Sequence, residues 1–178
     1  MKQENKMNLI ELQNKIHTQN KELGWWDDPR PFSTFVCLFH SELSEAMEGD
    51  RKGLMDDHLP KYPMFQVELA DFVIRCFDWL GSRNYSHINH IAIAHVSDSE
   101  IDCIAFLHDI VSGAYRESRA QNWSSVEINI FAAVHGSFAF AKLKKFDLHK
   151  IILEKVEYNK HRADHKRENR AKEGGKKY

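Results

Sequence analysis

The sequence predicts an all-α fold, a helical bundle of about five to six helices, and three observations carry that expectation. Apolar residues recur at intervals of three and four along nearly the whole chain, the period of a helix with one buried face. Alternation at a period of two, the mark of a half-buried strand, is scarce. Glycines and prolines punctuate the ends of the periodic runs, at Gly24, Gly53 and Gly81 and in "WWDDPRP" and "LMDDHLPKYP", where they stop helices.

Taken in order, the first helix is expected from about Met7 to Leu23, with Leu9, Leu12, Ile16 and Leu23 inward. A connector stiffened by Pro29 and Pro31 leads to a second helix over about Phe32 to Lys52. A proline-bearing loop then leads to a third over about Met64 to Leu80. Residues 82–98, including "INHIAIAHV", fit a short strand, a helical turn or a loop. A fourth helix is expected over about Ser99 to Glu117, with Ser99 as N-cap. Two more follow, near Val126 to Lys144 and near Leu148 to His165, with Asp147 capping the last. No internal repeat has a clear period and no linker is long enough to divide the chain. Residues 1–165 therefore form one all-α domain, and residues 166–178 a basic, flexible C-terminal tail.

Composition narrows the function classes. The 178 residues suit one domain with a real core, and 42% hydrophobic with 29% charged residues reads as globular. A net charge of −1 supplies no global field to recruit nucleic acid or membrane. No apolar run reaches the roughly 18 residues of a membrane span. The first residues carry no apolar signal segment, so a cytoplasmic protein is expected. Cys37, Cys76 and Cys103 lie far apart inside apolar helical patterns and read as reduced core residues.

Two helices carry acids where apolar residues are expected. In the second, Glu42 and Glu45 fall among Phe39, Leu43, Ala46 and Met47. The third, "FQVELADFVIRCFDWL", is apolar on nearly every side, as a central helix should be. Its polar residues Glu68, Asp71, Arg75 and Asp78 share one stripe less than about 90° wide. ExxE alone is common on solvated faces and ExxD alone is equally weak; the pair is the stronger signal, because the second motif sits inside an otherwise apolar helix. Sequential helices joined by a short loop pack as neighbours. Glu42, Glu45, Glu68 and Asp71 then meet in one cleft, which one arginine does not neutralise. Ionised and unpaired, each would cost several kcal/mol to bury. Hard divalent ions, Mg²⁺ or Mn²⁺, suit a ligand set made wholly of carboxylate oxygen.

Glu42-x-x-Glu45 followed by Glu68-x-x-Asp71 resembles the ExxE…ExxD signature of the MazG-like all-α nucleoside triphosphate pyrophosphohydrolases, including phage members. "FHSELSEAMEGDRKG", "VELADFVIRCFDWLG", "GWWDDPRPF" and "KVEYNKHR" are similar to strings of that family. The resemblance covers about Gly24 to Gly81 and Lys155 to Arg162. It implies a Mg²⁺-dependent hydrolase that splits an NTP or dNTP to the monophosphate and pyrophosphate, acting as a homodimer or larger assembly. By analogy Glu42, Glu45, Glu68 and Asp71 are the metal ligands and catalytic acids, one of the first pair orienting the attacking water. Lys155, Asn159 and Arg162, spaced four and three on one face, would bind phosphate and sugar. Trp25 and Trp26 border the loop before the second helix, where one of them, Trp25 in this reading, offers an indole face for a base to stack on, or where both plug the end of the bundle. The chain departs from the pattern after Arg162, where Ala163 and "DHKRENRAKE" stand before Gly174-Gly175-Lys176-Lys177.

Other motifs point elsewhere or nowhere. "GGKK" has neither the preceding strand nor the spacing of a P-loop. His87, His90, His95, His161 and His165 read as surface or satisfied core residues, and no HExxH is present. The absence of ExxH on the acidic helices argues against a di-iron bundle. The rival classes are a non-catalytic helical interaction protein and a carboxylate-bridged redox-metal protein. All-round apolar character in the third helix also suggests cover from a second subunit.

Overall fold

The computed structural model describes residues 9–86 and 97–176. Among them are six long helices, α1 (Leu9–Glu22), α2 (Phe32–Lys52), α3 (Met64–Ser82), α4 (Glu100–Arg119), α5 (Trp123–Leu143) and α6 (Leu148–His161). A 3₁₀ turn at Ala163–His165 and a one-turn helix α7 (Arg167–Arg170) follow. The only β pairing among the described residues is an isolated antiparallel bridge between Met55 and Pro63. The expectation for "INHIAIAHV", with His87, His90 and His95, lies outside the described residues.

The apolar stripes assemble as the periodicity requires. α3 is central: it packs against α1, α2, α5 and α6, while α4 lies on α2 and α5. Phe39 of α2, Phe72 and Phe77 of α3, and Phe131 and Phe140 of α5 are buried almost completely. α3 is therefore covered within one chain, and its apolar character does not call for a second subunit. Cys76 and Cys103 are buried as expected, and burial pushes both thiols up, Cys103 to about 12. Cys37 is exposed, contrary to expectation, because it sits one position off the inward pair Val36 and Phe39.

Helix ends follow local chemistry. Ser99 Oγ accepts from the Asp102 backbone N–H at 3.3 Å, and Asp147 Oδ1 from that of Lys150 at 3.0 Å. Gly53, at φ +62°, closes α2: its N–H bonds Asp50 O, and the Leu54 N–H bonds Gly49 O, the double bond of a Schellman cap. The loop 53–63 then returns on itself, with Met64 N–H to Leu54 O at 2.9 Å and Asp56 N–H to Tyr62 O at 3.0 Å. That closure brings the start of α3 beside the end of α2, and so aligns the two acidic stripes.

One expected helix ends early. The run predicted to His165 stops at His161, and Arg162 adopts extended backbone, φ −65° and ψ 129°. Its guanidinium bonds Asp164 two residues on. A continuing helix would point residues i and i+2 apart.

Candidate metal and phosphate site

Glu42 from α2 and Glu68 and Asp71 from α3 offer ligand oxygens that all lie within 4.8 Å of one another. Among the described residues, no other group of three or more Asp, Glu, His or Cys side chains meets in this way. Glu42 and Glu68 are each only 7% exposed, and Asp71 is half-buried. Burial, with the other acids beside it, pushes the Glu68 carboxyl up to about 9. Burial also raises Glu42, although Arg75 opposes the shift. The cluster thus takes up a proton when no cation is present.

Glu45, the fourth expected acid, is not part of this trio. It lies exposed one turn along α2, accepts a hydrogen bond from Ser41 Oγ at 2.9 Å, and borders the same cavity. Its negative charge still reaches Glu42 and Glu68, raising both.

Two cations brace the trio. Arg75 Nε donates to Glu42 Oε1 at 2.9 Å, from the same face of α3 as Asp71. Lys155 of α6 is 1% exposed, and its Nζ lies 3.0 Å from Asp71 Oδ2. Burial works against the Lys155 charge, but Asp71, with Asp56 and Glu68, outweighs it and holds the ammonium above its ordinary range. Lys155 Nζ also donates to His58 Nδ1 at 3.1 Å. Burial and the lysine charge lower the His58 pKa and favour the neutral ring, whose Nδ1 accepts from the ammonium. Lys155 is therefore part of the buried framework rather than of a solvated basic face.

These groups open into a cavity of ≈ 310 Å³. Asn159 of α6 lines it beside Lys155, and Arg162 reaches it from extended backbone just past the helix end rather than through helical spacing. Asn159 Oδ1 is buried without a hydrogen-bond partner. Arg162 is held by Asp164 through Nε at 2.9 Å and Nη2 at 2.7 Å. The arginine keeps the Asp164 carboxyl well below the usual range. Trp25 also lines the cavity, but it is 8% exposed, with the Arg170 guanidinium 4.0 Å from its ring centroid and His165 at its edge. A base stacking on that covered face would have to displace Arg170.

Other residues shape the site through partners that the sequence pattern does not name. His58 sits in the loop between α2 and α3, tied by its backbone N–H to Asp56 Oδ1 at 2.9 Å. Asp78, on the predicted acidic stripe, is engaged by His17 Nδ1 at 2.9 Å and by Trp26 Nε1 at 2.8 Å. Arg30 lies over Trp26 and Phe35 at 5.0 and 4.5 Å, and burial lowers its pKa. His165 and Lys176 reach the cavity from the segment after α6. Such long-range partners leave no periodic signal. The buried neighbours Ile151, Ile152 and Val156 were the available hint that Lys155 points inward.

No protein-family model matches the chain, and no curated protein or solved structure matches it. No helix among the described residues is long and apolar enough to cross a membrane.

Proposed function

We propose that the protein is a Mg²⁺-dependent nucleoside triphosphate pyrophosphohydrolase that converts (d)NTP and water to (d)NMP and pyrophosphate. One observation carries this reading: a cluster of three carboxylates lines one cavity together with Lys155 and Asn159 of α6 and Arg162 just beyond it. An all-oxygen, anionic ligand set fits Mg²⁺ or Mn²⁺. The raised Glu68 and Glu42 carboxyls fit as well, since a cation would replace the proton that the cluster otherwise holds. Glu42, Glu68 and Asp71 would hold the ion, with Glu45 at its solvent edge. When bound, a divalent ion neutralises charge on phosphate oxygens and acidifies water.

The chain's own groups supply the rest. Lys155, fixed between Asp71 and His58, sets a positive field at the floor of the cavity. Arg162 offers a fork of donors suited to phosphate oxygens. The unpaired Asn159 Oδ1 accepts from a sugar hydroxyl. Glu45 stands solvent-exposed at the rim, placed to take the proton of the water attacking the α-phosphorus. The bond from that phosphorus to the bridging oxygen breaks, and pyrophosphate leaves. A homodimer or larger assembly is proposed on the family resemblance alone.

Incubation with a panel of NTPs and dNTPs plus Mg²⁺, with pyrophosphate and phosphate measured separately, tests the reading. Pyrophosphate release that falls about 100-fold or more in Glu68→Gln is expected. Release of phosphate instead, or turnover that survives the substitution, would overturn it.

A further inference from the structure

The segment after α6 presents an anion to Arg162, which the proposed function gives to phosphate, and to Lys176, which lines the same cavity. Asp164 Oδ1 accepts from Arg162 Nε at 2.9 Å, and Oδ2 accepts from Arg162 Nη2 at 2.7 Å. Lys176 Nζ lies 2.8 Å from the same Oδ2. Arg162 and Lys176 both line the cavity, while Asp164 stands outside its lining. A planar pair of oxygens gripped by a guanidinium fork and an ammonium is also how a phosphate group is held.

We propose that Asp164 is a built-in competitor for substrate phosphate, holding Arg162 and Lys176 in the free protein and yielding both to the polyphosphate of a nucleotide. The inference rests on the pyrophosphohydrolase reading for the place of the phosphates. Two features make the exchange cheap. The pairs are partly solvated, with side-chain exposures of 21% for Arg162, 43% for Asp164 and 45% for Lys176, and such pairs stabilise a fold little. A polyphosphate also carries several charges against the single charge of the carboxylate, so it outbids Asp164 for the same donors. On release, the Lys176 ammonium is free to pair with the bound anion. The rest of the segment stays anchored by Arg167 on Asp27 and by Arg170 on Leu23 O.

Calorimetric titration of inorganic tripolyphosphate with Mg²⁺ into the full chain and into Asp164→Asn tests the competition. The substitution is expected to tighten binding about three- to tenfold, the scale of one partly exposed charge-assisted pair. In a background with both Arg162→Ala and Lys176→Ala it should bring no gain. Equal or weaker binding by Asp164→Asn at an unchanged melting temperature would overturn the proposal, because Asp164 would then be positioning Arg162. So would absence of binding by both proteins. Should Asp164→Asn not fold, the Arg162 Nε–H resonance of the unsubstituted chain decides: it should move as tripolyphosphate binds, and a stationary resonance overturns the proposal. Because tripolyphosphate needs no turnover, a chain that hydrolyses no nucleotide defeats the enzyme reading and leaves this test readable. Confirmed nucleotide turnover with unaltered Asp164→Asn affinity defeats only the competition.

Discussion

Glu68 concentrates the electrostatics of the site in one side chain. In the folded protein its carboxyl moves from an ordinary 4.5 to about 9, by burial first and by Asp71 and Glu42 second. Between those values the folded chain holds a proton that the unfolded chain has released. Stability in metal-free buffer should therefore fall as pH rises through that window, and level off above it. Saturating Mg²⁺ should remove the decline by taking the proton's place. Thermal melts at about pH 5 and about pH 8, with chelator and with Mg²⁺, read this directly. A metal-free protein equally stable at both pH values would contradict it. The ExxE and ExxD spacings made Glu42, Glu68 and Asp71 legible in the sequence. They did not show that Glu45 faces solvent, since a three-residue step turns about 60° around the helix, enough to leave the seam.

At the scale of elements, helix boundaries were the most legible part. α2 runs Phe32–Lys52 as the periodicity indicates, and both expected side-chain caps, Ser99 and Asp147, form. Two glycines separate backbone cost from packing cost. Gly53 needs its positive φ of +62° and has nothing within 4 Å of an added Cβ. Gly53→Ala should cost about 1 kcal/mol through the backbone alone. The sequence read Gly81 as a helix stop, but α3 passes through it. An added Cβ there would lie 2.5 Å from His17 Cβ, so Gly81 marks the close approach of α1 to α3. Gly81→Ala should cost about 1–3 kcal/mol and loosen the His17–Asp78 pair. Denaturant unfolding of both variants checks the order; a Gly53→Ala cost exceeding that of Gly81→Ala would contradict it.

The whole molecule closes through contacts between distant parts of the chain, and these were the least legible. Arg167 binds Asp27 through Nε and Nη2 at 2.9 and 3.1 Å, and Arg170 covers Trp25. A charged run such as "KRENRAKE" reads as solvated, because nothing local names a partner about 140 residues away. Since the Arg167 pair is exposed, Arg167→Ala should leave the melting temperature nearly unchanged while trypsin cuts residues 163–176 faster. Equal cutting rates would mean that the clasp does not hold that segment. The most direct test of the central claim, that three sequestered acids trade a proton for a hard cation, is calorimetric titration of Mn²⁺ in two buffers of different ionisation enthalpy near neutral pH. About one proton should leave per ion bound, and Glu68→Gln should abolish that release. Binding without proton release, or release unaltered in Glu68→Gln, would contradict the claim.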